Sequence, residues 1–385
     1  MKIGIVGGGA SALFLANYLS RLNLNIDITI FERNKSLARK VLASGNGKCN
    51  FSNYKAIKED YNNPLFMDNL FKHCPKDELI NYFSSLGLMF YFDGEGRMYP
   101  LSNSSQTIVD LLESDLKNTC INLNYTVNKV EVKDGMPYID NFKFDIVVLA
   151  SGSNASIDLS KIDSTYNYLK PLNLKMVPVS PSLVGFKCKL KNISILKGFR
   201  SKSIVSMYRD SKLIFKEFGE VIFKEDGISG IVVMNASHYY KSNDKIMLNL
   251  LPNVEINEFI YKANLRKKIN PSIDYFLSGL IHPTLINYLK KENITDIERI
   301  VEILTNFDVR VISTYSMKEA QVSKGGIDIE EIDDNFRIKK YNSIYALGEL
   351  LDINGLCGGY NLMFAFSSAL VLGKEIKRIY EDKNN

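Results

Sequence analysis

The chain has 385 residues, 45% of them hydrophobic and 24% charged, a balance that fits an ordinary folded protein and excludes a disordered one. It is too long for a single ordinary core, so two or three domains are expected. The net charge of +5 is mild and no Lys/Arg block with interleaved aromatics occurs, so no nucleic-acid partner is expected.

The first segment alternates cleanly. Lys2–Val6 reads as a buried strand, Ala10–Arg21 as a helix and Asn25–Glu32 as a second strand rich in Ile, Phe and Thr. This βαβ unit predicts an α/β fold with a helix-covered parallel sheet. The chain opens on that strand and not on a charged segment followed by an apolar one, so no signal peptide is expected. After an irregular polar stretch at Leu37–Asn53, further strands are expected at Ile121–Val132 and Phe144–Ala150. The second has the near-continuous apolar run of a central parallel strand.

Beyond Pro178–Pro181 the texture changes. Apolar and polar residues alternate at Ser203–Tyr208, Leu213–Glu217 and Lys245–Leu251, as in antiparallel strands. Ile256 to about Thr305 is charged and helical in pattern. A strand at Ile344–Leu347, a glycine-rich turn and a helix over Tyr360–Tyr380 then restore the first texture. The expected organisation is a discontinuous Rossmann-like nucleotide domain, 1–182 and 311–385. It is interrupted by a β-rich insert at 183–253 and a helical subdomain at 254–310. The longest apolar stretch, around Leu362–Leu372, contains serines and falls short of the roughly 20 residues that cross a bilayer, so no membrane span is expected. Five scattered cysteines without a Cys-x-x-Cys, and three histidines far apart, support neither a zinc site nor a disulfide framework. Reduced cysteines suit a cytoplasmic protein.

Gly7-Gly8-Gly9-Ala10-Ser11-Ala12 follows the first strand, opens the first helix and fits the G-x-G-x-x-A variant of the dinucleotide fingerprint. Gly7 permits the tight turn, Gly9 lets backbone approach a pyrophosphate, and Ala12 keeps helix and strand close. The free N–H groups and positive end of the helix then receive phosphates. Such a loop alone is weak evidence. Glu32, ending the second strand, supplies the carboxylate expected to accept both hydroxyls of an adenosine ribose, and it disfavours the 2′-phosphate of NADP. Three further glycine-rich elements lie far downstream: Ala150-Ser151-Gly152, Gly348-Glu349, and Gly355 through Gly359-Tyr360-Asn361. A long cofactor touched by both ends of the chain accounts for all of them, which favours FAD over NAD. The start of the last helix, Gly359–Leu362, would place a partial positive charge at the flavin ring. No second G-x-G-x-x-G is present, so NAD(P)H as electron donor would act without a second Rossmann module.

At these residues the sequence resembles the HI0933-like family of FAD-dependent oxidoreductases, which includes proteins of the aminoacetone oxidase type. The matching stretches are Ile5–Ala12, Arg39–Asn50 (Arg-Lys-Val-Leu-Ala-Ser-Gly-Asn-Gly-Lys-Cys-Asn), Gly96–Pro100, Gly227–Gly230, and Gly348-Glu349 through Ser368. The resemblance implies an FAD-binding domain split by an inserted β-barrel and a small helical subdomain. It implies that Ala10, Ser11, Glu32 and Arg33 hold the adenosine and pyrophosphate, and that Val127 meets the adenine by its backbone. Arg39, Ser44, Gly45 and Asn50 would lie along the cofactor, with Gly348, Glu349, Gly359, Tyr360, Asn361 and Leu362 at the ribityl chain and ring. The activity it implies is hydride transfer between flavin and a small or steroid-like enone, ketone or amine, as a reductase. Two departures stand out: Lys324 in the Val322–Ile327 loop, and Lys224-Glu225 where relatives tend to carry Thr-His.

Candidate catalytic groups keep two readings each. Cys49 is a redox thiol or a small packing residue. Arg97 and Tyr99 bind an acidic substrate and donate a proton, or else form a local ion pair and core. Tyr360 packs on the ring or contacts substrate. His73, His238 and His282 show no partner spacing and read as structural. The rival functional classes are a flavin-binding sensor without turnover and an RNA-modifying flavoprotein.

Overall fold

The computed structural model describes residues 1–116, 118–156 and 166–384. The chain divides into two compact units, one of residues 1–180 and 322–385, the other of residues 181–321.

A five-stranded sheet forms the centre of the first unit. Its strands are β1 (Lys2–Val6), β2 (Asp27–Phe31), β3 (Thr119–Asn122), β4 (Ile146–Leu149) and β5 (Ile344–Ala346), ordered β5-β4-β1-β2-β3. All the pairings are parallel. Every residue of Ile146–Leu149 is buried, as a strand covered on both faces must be. Helix α1 (Ala10–Arg21) is buried from Ser11 to Leu19 except Tyr18, and α2 spans Arg39–Ala43. Helix α3 (Tyr360–Asn384) runs against α1. Phe14 and Phe366 meet there at 5.5 Å between ring centroids, and a methyl group on Gly373 would come within 2.4 Å of the Tyr18 ring. Only glycine admits that approach.

The expected strand over Ile121–Val132 is two strands in different sheets. Thr119–Asn122 closes the parallel sheet, whereas Val130–Lys133 pairs with Met136–Ile139 through a turn at Asp134-Gly135, both at positive φ. The break between them puts Val127 in a loop.

In the second unit a seven-stranded sheet runs in the order 307–308, 245–249, 200–209, 212–223, 227–229, 186–188 and 311–314, all antiparallel. Phe186, Val205 and Leu248 from its strands share one core with Phe259, Phe276, Leu289 and Ile300 from the helices that follow. Strands and helices there form one unit. Two differences from the sequence reading follow. Val311–Thr314 pairs with Phe186–Cys188, so the return to the first unit comes at Val322 and not at 311. Ile231–Tyr239, inside the stretch read as strands, is a helix, because a short apolar run carries no period that separates a buried helix from a buried strand.

Candidate functional site

Register aligns the strand ends. Val6 pairs with both Phe31 and Leu149, Phe31 with Asn122, and Leu149 with Ala346, so the loops after all five strands leave from one row. That edge, at the carboxyl ends of parallel strands, is where open α/β sheets bind ligands. Gly7 turns here at φ +101°, with its N–H donating to the Phe31 carbonyl at 2.8 Å. A Cβ on Gly7 would lie 2.5 Å from the Ala150 carbonyl oxygen, so the loops after β1 and β4 touch through backbone. Gly9 caps α1 and faces open space. The first helical bond runs from Leu13 N–H to Gly9, leaving Ala10, Ser11 and Ala12 ahead of it with N–H groups for an anion.

Glu32 is only 7% exposed. Its Oε2 accepts the Gly8 N–H at 2.7 Å, and its Oε1 accepts the Asn34 N–H and side-chain amide at 2.7 and 2.6 Å. A carboxylate has about four acceptor positions, so room remains for one hydroxyl on Oε2. The glycine loop itself thus takes part of the capacity expected to serve the ribose hydroxyls. Arg39 donates to Asn34 at 2.9 Å. Tyr125 N–H donates to the Glu32 carbonyl and Asn124 N–H to that of Asn34, which brings the loop carrying Val127 alongside. Arg33 is half-buried beside Tyr166 and Tyr168.

The other end is built from segments remote in sequence. Ser44–Gly47 forms a tight turn with Gly45 at φ +56°, and a Cβ there would lie 2.9 Å from the Asn50 nitrogen. Gly359, at φ +96° before α3, packs so closely that its Cβ would meet the Ser52 carbonyl at 2.4 Å and Asn50 Oδ1 at 2.6 Å. Asn50 is 9% exposed and its Oδ1 has no hydrogen-bond partner among the described residues. A buried acceptor left open beside the start of a 25-residue helix fits a ligand that presents an N–H donor there, as the edge of a flavin ring does. Asn361 does not point its side chain that way: the amide bonds Gly355 and Leu356 and holds their loop. Its backbone, like that of Leu362, precedes the first bond of α3, from Met363 N–H to Gly359. Tyr360 sits edge-on to Tyr61, whose hydroxyl donates to the Tyr360 carbonyl at 3.0 Å.

Arg97 and Tyr99 lie on the short strand Arg97–Pro100, and the Arg97 side chain runs along Gly358. Arg97 Nε binds Asp93 at 2.7 Å. Burial alone would raise the Asp93 carboxyl, but hydrogen bonds from the Arg97 side chain and from the N–H groups of Arg97 and Glu95 bring it below the usual range. The guanidinium therefore makes the local pair of the plainer reading through one nitrogen. Tyr99 stacks on Tyr91 at 5.6 Å, and burial raises its hydroxyl above the ordinary value while Arg97 opposes that. Cys49 is fully buried and burial pushes its thiol to about 12, so it is a packing residue and not a reactive thiolate. His282 caps the helix Pro283–Lys291 and lies tilted against the Phe199 ring, and His73 bonds its own helix at Asn69. Among the described residues, no group of three or more His, Cys, Asp and Glu could hold a metal, and no helix is long and apolar enough to cross a membrane.

Sequence reasoning missed one cluster. Glu349 Oε2 pairs with Lys40 at 2.9 Å, while its Oε1 accepts the Ser153 hydroxyl at 2.7 Å and the Ser323 N–H at 3.1 Å. Gly348, Glu349 and Gly152 thus meet at the sheet edge, tied to α2 by a lysine that no spacing rule singles out.

Fold and site together define a Rossmann-type oxidoreductase of the flavoprotein class. The family description "HI0933-like protein Rossmann domain" matches residues 1–375, and the chain belongs to that family. It is 28% identical over 403 residues to a 3-dehydro-bile acid delta(4,6)-reductase of Clostridium scindens, covering 97% of this chain and 98% of the relative. It is also 26% identical over 398 residues to a ribosomal RNA dihydrouridine synthase of Escherichia coli, covering 97% of each. Among solved structures, a flavocytochrome c3 fumarate reductase aligns over 97% of this chain and 76% of that one, at 13% identity and TM-score 0.44.

Proposed function

We propose that the protein holds one FAD along the edge of the parallel sheet and reduces a carbon–carbon double bond conjugated to a carbonyl in a small or steroid-like substrate. The observation that carries this reading is that one unit holds both a nucleotide-type end, with Glu32, the Val127 loop and Gly7–Gly9, and a second end where the buried Asn50 acceptor meets Gly359 at the start of α3.

In this reading the N–H groups at the start of α1 take the diphosphate, Glu32 takes one ribose hydroxyl, and Asn50 with the start of α3 fixes the ring edge. A bound flavin supplies the hydride. Tyr99, raised by burial and therefore protonated at neutral pH, is the candidate proton donor. The terminal nitrogens of Arg97, whose stem runs along Gly358, would hold an anionic part of the substrate. The relative's name supports the substrate class, because a delta(4,6)-reductase acting on a 3-dehydro compound saturates double bonds conjugated to a ketone. A second reading has the same chemistry on a nucleobase: a dihydrouridine synthase saturates a double bond conjugated to a ring carbonyl.

Anaerobic stopped-flow assays test the proposal. The flavin is reduced with NADH or NADPH and then mixed with a 3-oxo-4,6-diene steroid, simple enones, or uridine-containing RNA. Reoxidation by the dienone supports the proposal. Reoxidation by RNA alone favours the second reading, and reoxidation by none favours a sensor.

A further inference from the structure

The start of α1 is suited to a diphosphate, yet the loop packed against it carries a carboxylate. Gly348, at φ +63°, abuts the first turn of α1 so closely that a Cβ would lie 2.8 Å from Ser11 Oγ. Glu349 follows immediately. Its carboxylate is held in place by the Ser153 hydroxyl and the Ser323 N–H, and its side chain is 20% exposed. Uncompensated, that charge would oppose any anion arriving at the glycine loop. Lys40 Nζ, 2.9 Å from Glu349 Oε2 and 3.2 Å from Ser153 Oγ, supplies the compensation. Its side chain is 31% exposed. Ser323 is buried, with a hydroxyl that finds no partner among the described residues, so the cluster keeps unused polar capacity.

We infer that Lys40 is a positioning residue whose charge neutralises Glu349 and so admits a diphosphate-bearing cofactor to the cleft. The inference rests on the FAD reading. Lys40 acts through Glu349, by cancelling a repulsion. That separates it from a lysine that grips phosphate directly, and a double-mutant cycle tells the two apart.

The measurement is the dissociation constant of FAD for the flavin-free full chain, by fluorescence quenching, for wild type, Lys40→Met, Glu349→Gln, the double variant and Lys40→Arg. ADP serves as a second probe that carries the diphosphate without the ring. Lys40→Met is expected to weaken FAD and ADP about tenfold, as a lost partly screened charge pair should. The double variant is expected to bind both within about threefold of Glu349→Gln, and Lys40→Arg close to wild type. Circular dichroism of each flavin-free variant reports folding, and Lys40→Arg carries the comparison should Lys40→Met unfold. Lys40→Met binding as tightly as wild type overturns the inference, as does a double variant as weak as Lys40→Met. A wild-type chain that takes up no FAD overturns the cofactor reading instead, and the ADP series still decides the role of Lys40.

Discussion

The two ends of the site are built by different means. At the adenosine end, backbone does most of the work: strand register lines up five loops, Gly7 and Gly9 shape the turn, and Glu32 is anchored by Gly8 and Asn34. At the ring end, segments about 300 residues apart are brought together, and side chains such as Asn50, Arg97 and Tyr99 set the character of the surface. On the proposed reading, the first end is a general device for holding a nucleotide, and the second, built from side chains, is where selectivity would reside.

That contrast is open to attack. The largest effect on flavin retention is expected from Gly7→Ala, which forces a methyl against the Ala150 carbonyl at a φ that L-residues rarely adopt. It should cost about 3 kcal/mol of stability and abolish flavin retention, read by thermal denaturation and flavin absorbance. Phe14→Ala, beneath both ends in the α1–α3 core, should cost about 3–5 kcal/mol. Its loss should fall equally on flavin-free and flavin-bound protein, because it touches neither loop.

Asn50→Leu sharpens the comparison. It removes a buried acceptor that none of the described residues satisfies, so the flavin-free protein should keep its melting temperature. The increment gained on adding FAD should shrink by about 1–2 kcal/mol. A flavin-free protein destabilised by as much would make Asn50 a structural residue. Thiol chemistry gives a smaller, pH-dependent effect. Burial raises Cys49 and Cys188 to about 12 and Cys74 to about 11, above the ordinary value, so these thiols stay protonated in the folded protein at pH 8. The stability this implies is fully present below about 8.5 and is lost as pH rises through the folded values. Ellman's reagent at pH 8 should label exposed Cys120 quickly, and Cys49, Cys74 and Cys188 only on unfolding.

What the sequence revealed follows from the same contrast. Local patterns disclosed α1 to the residue, four of the five parallel strands within one or two positions, and the glycine loops, because turn geometry and strand period are written in adjacent residues. The helix at Ile231–Tyr239 escaped because a short apolar run has no decisive period. The edge strand at Val311–Thr314 escaped because its partner lies more than 120 residues upstream. Lys40 was invisible for the same reason: its partner Glu349 is 309 residues away.

The most direct test of the account is the cofactor itself. The protein is purified or reconstituted with FAD, denatured, and the released flavin quantified and identified by mass spectrometry. The account predicts about one FAD per chain. A colourless protein that takes up no flavin, or one that retains only FMN, would contradict it.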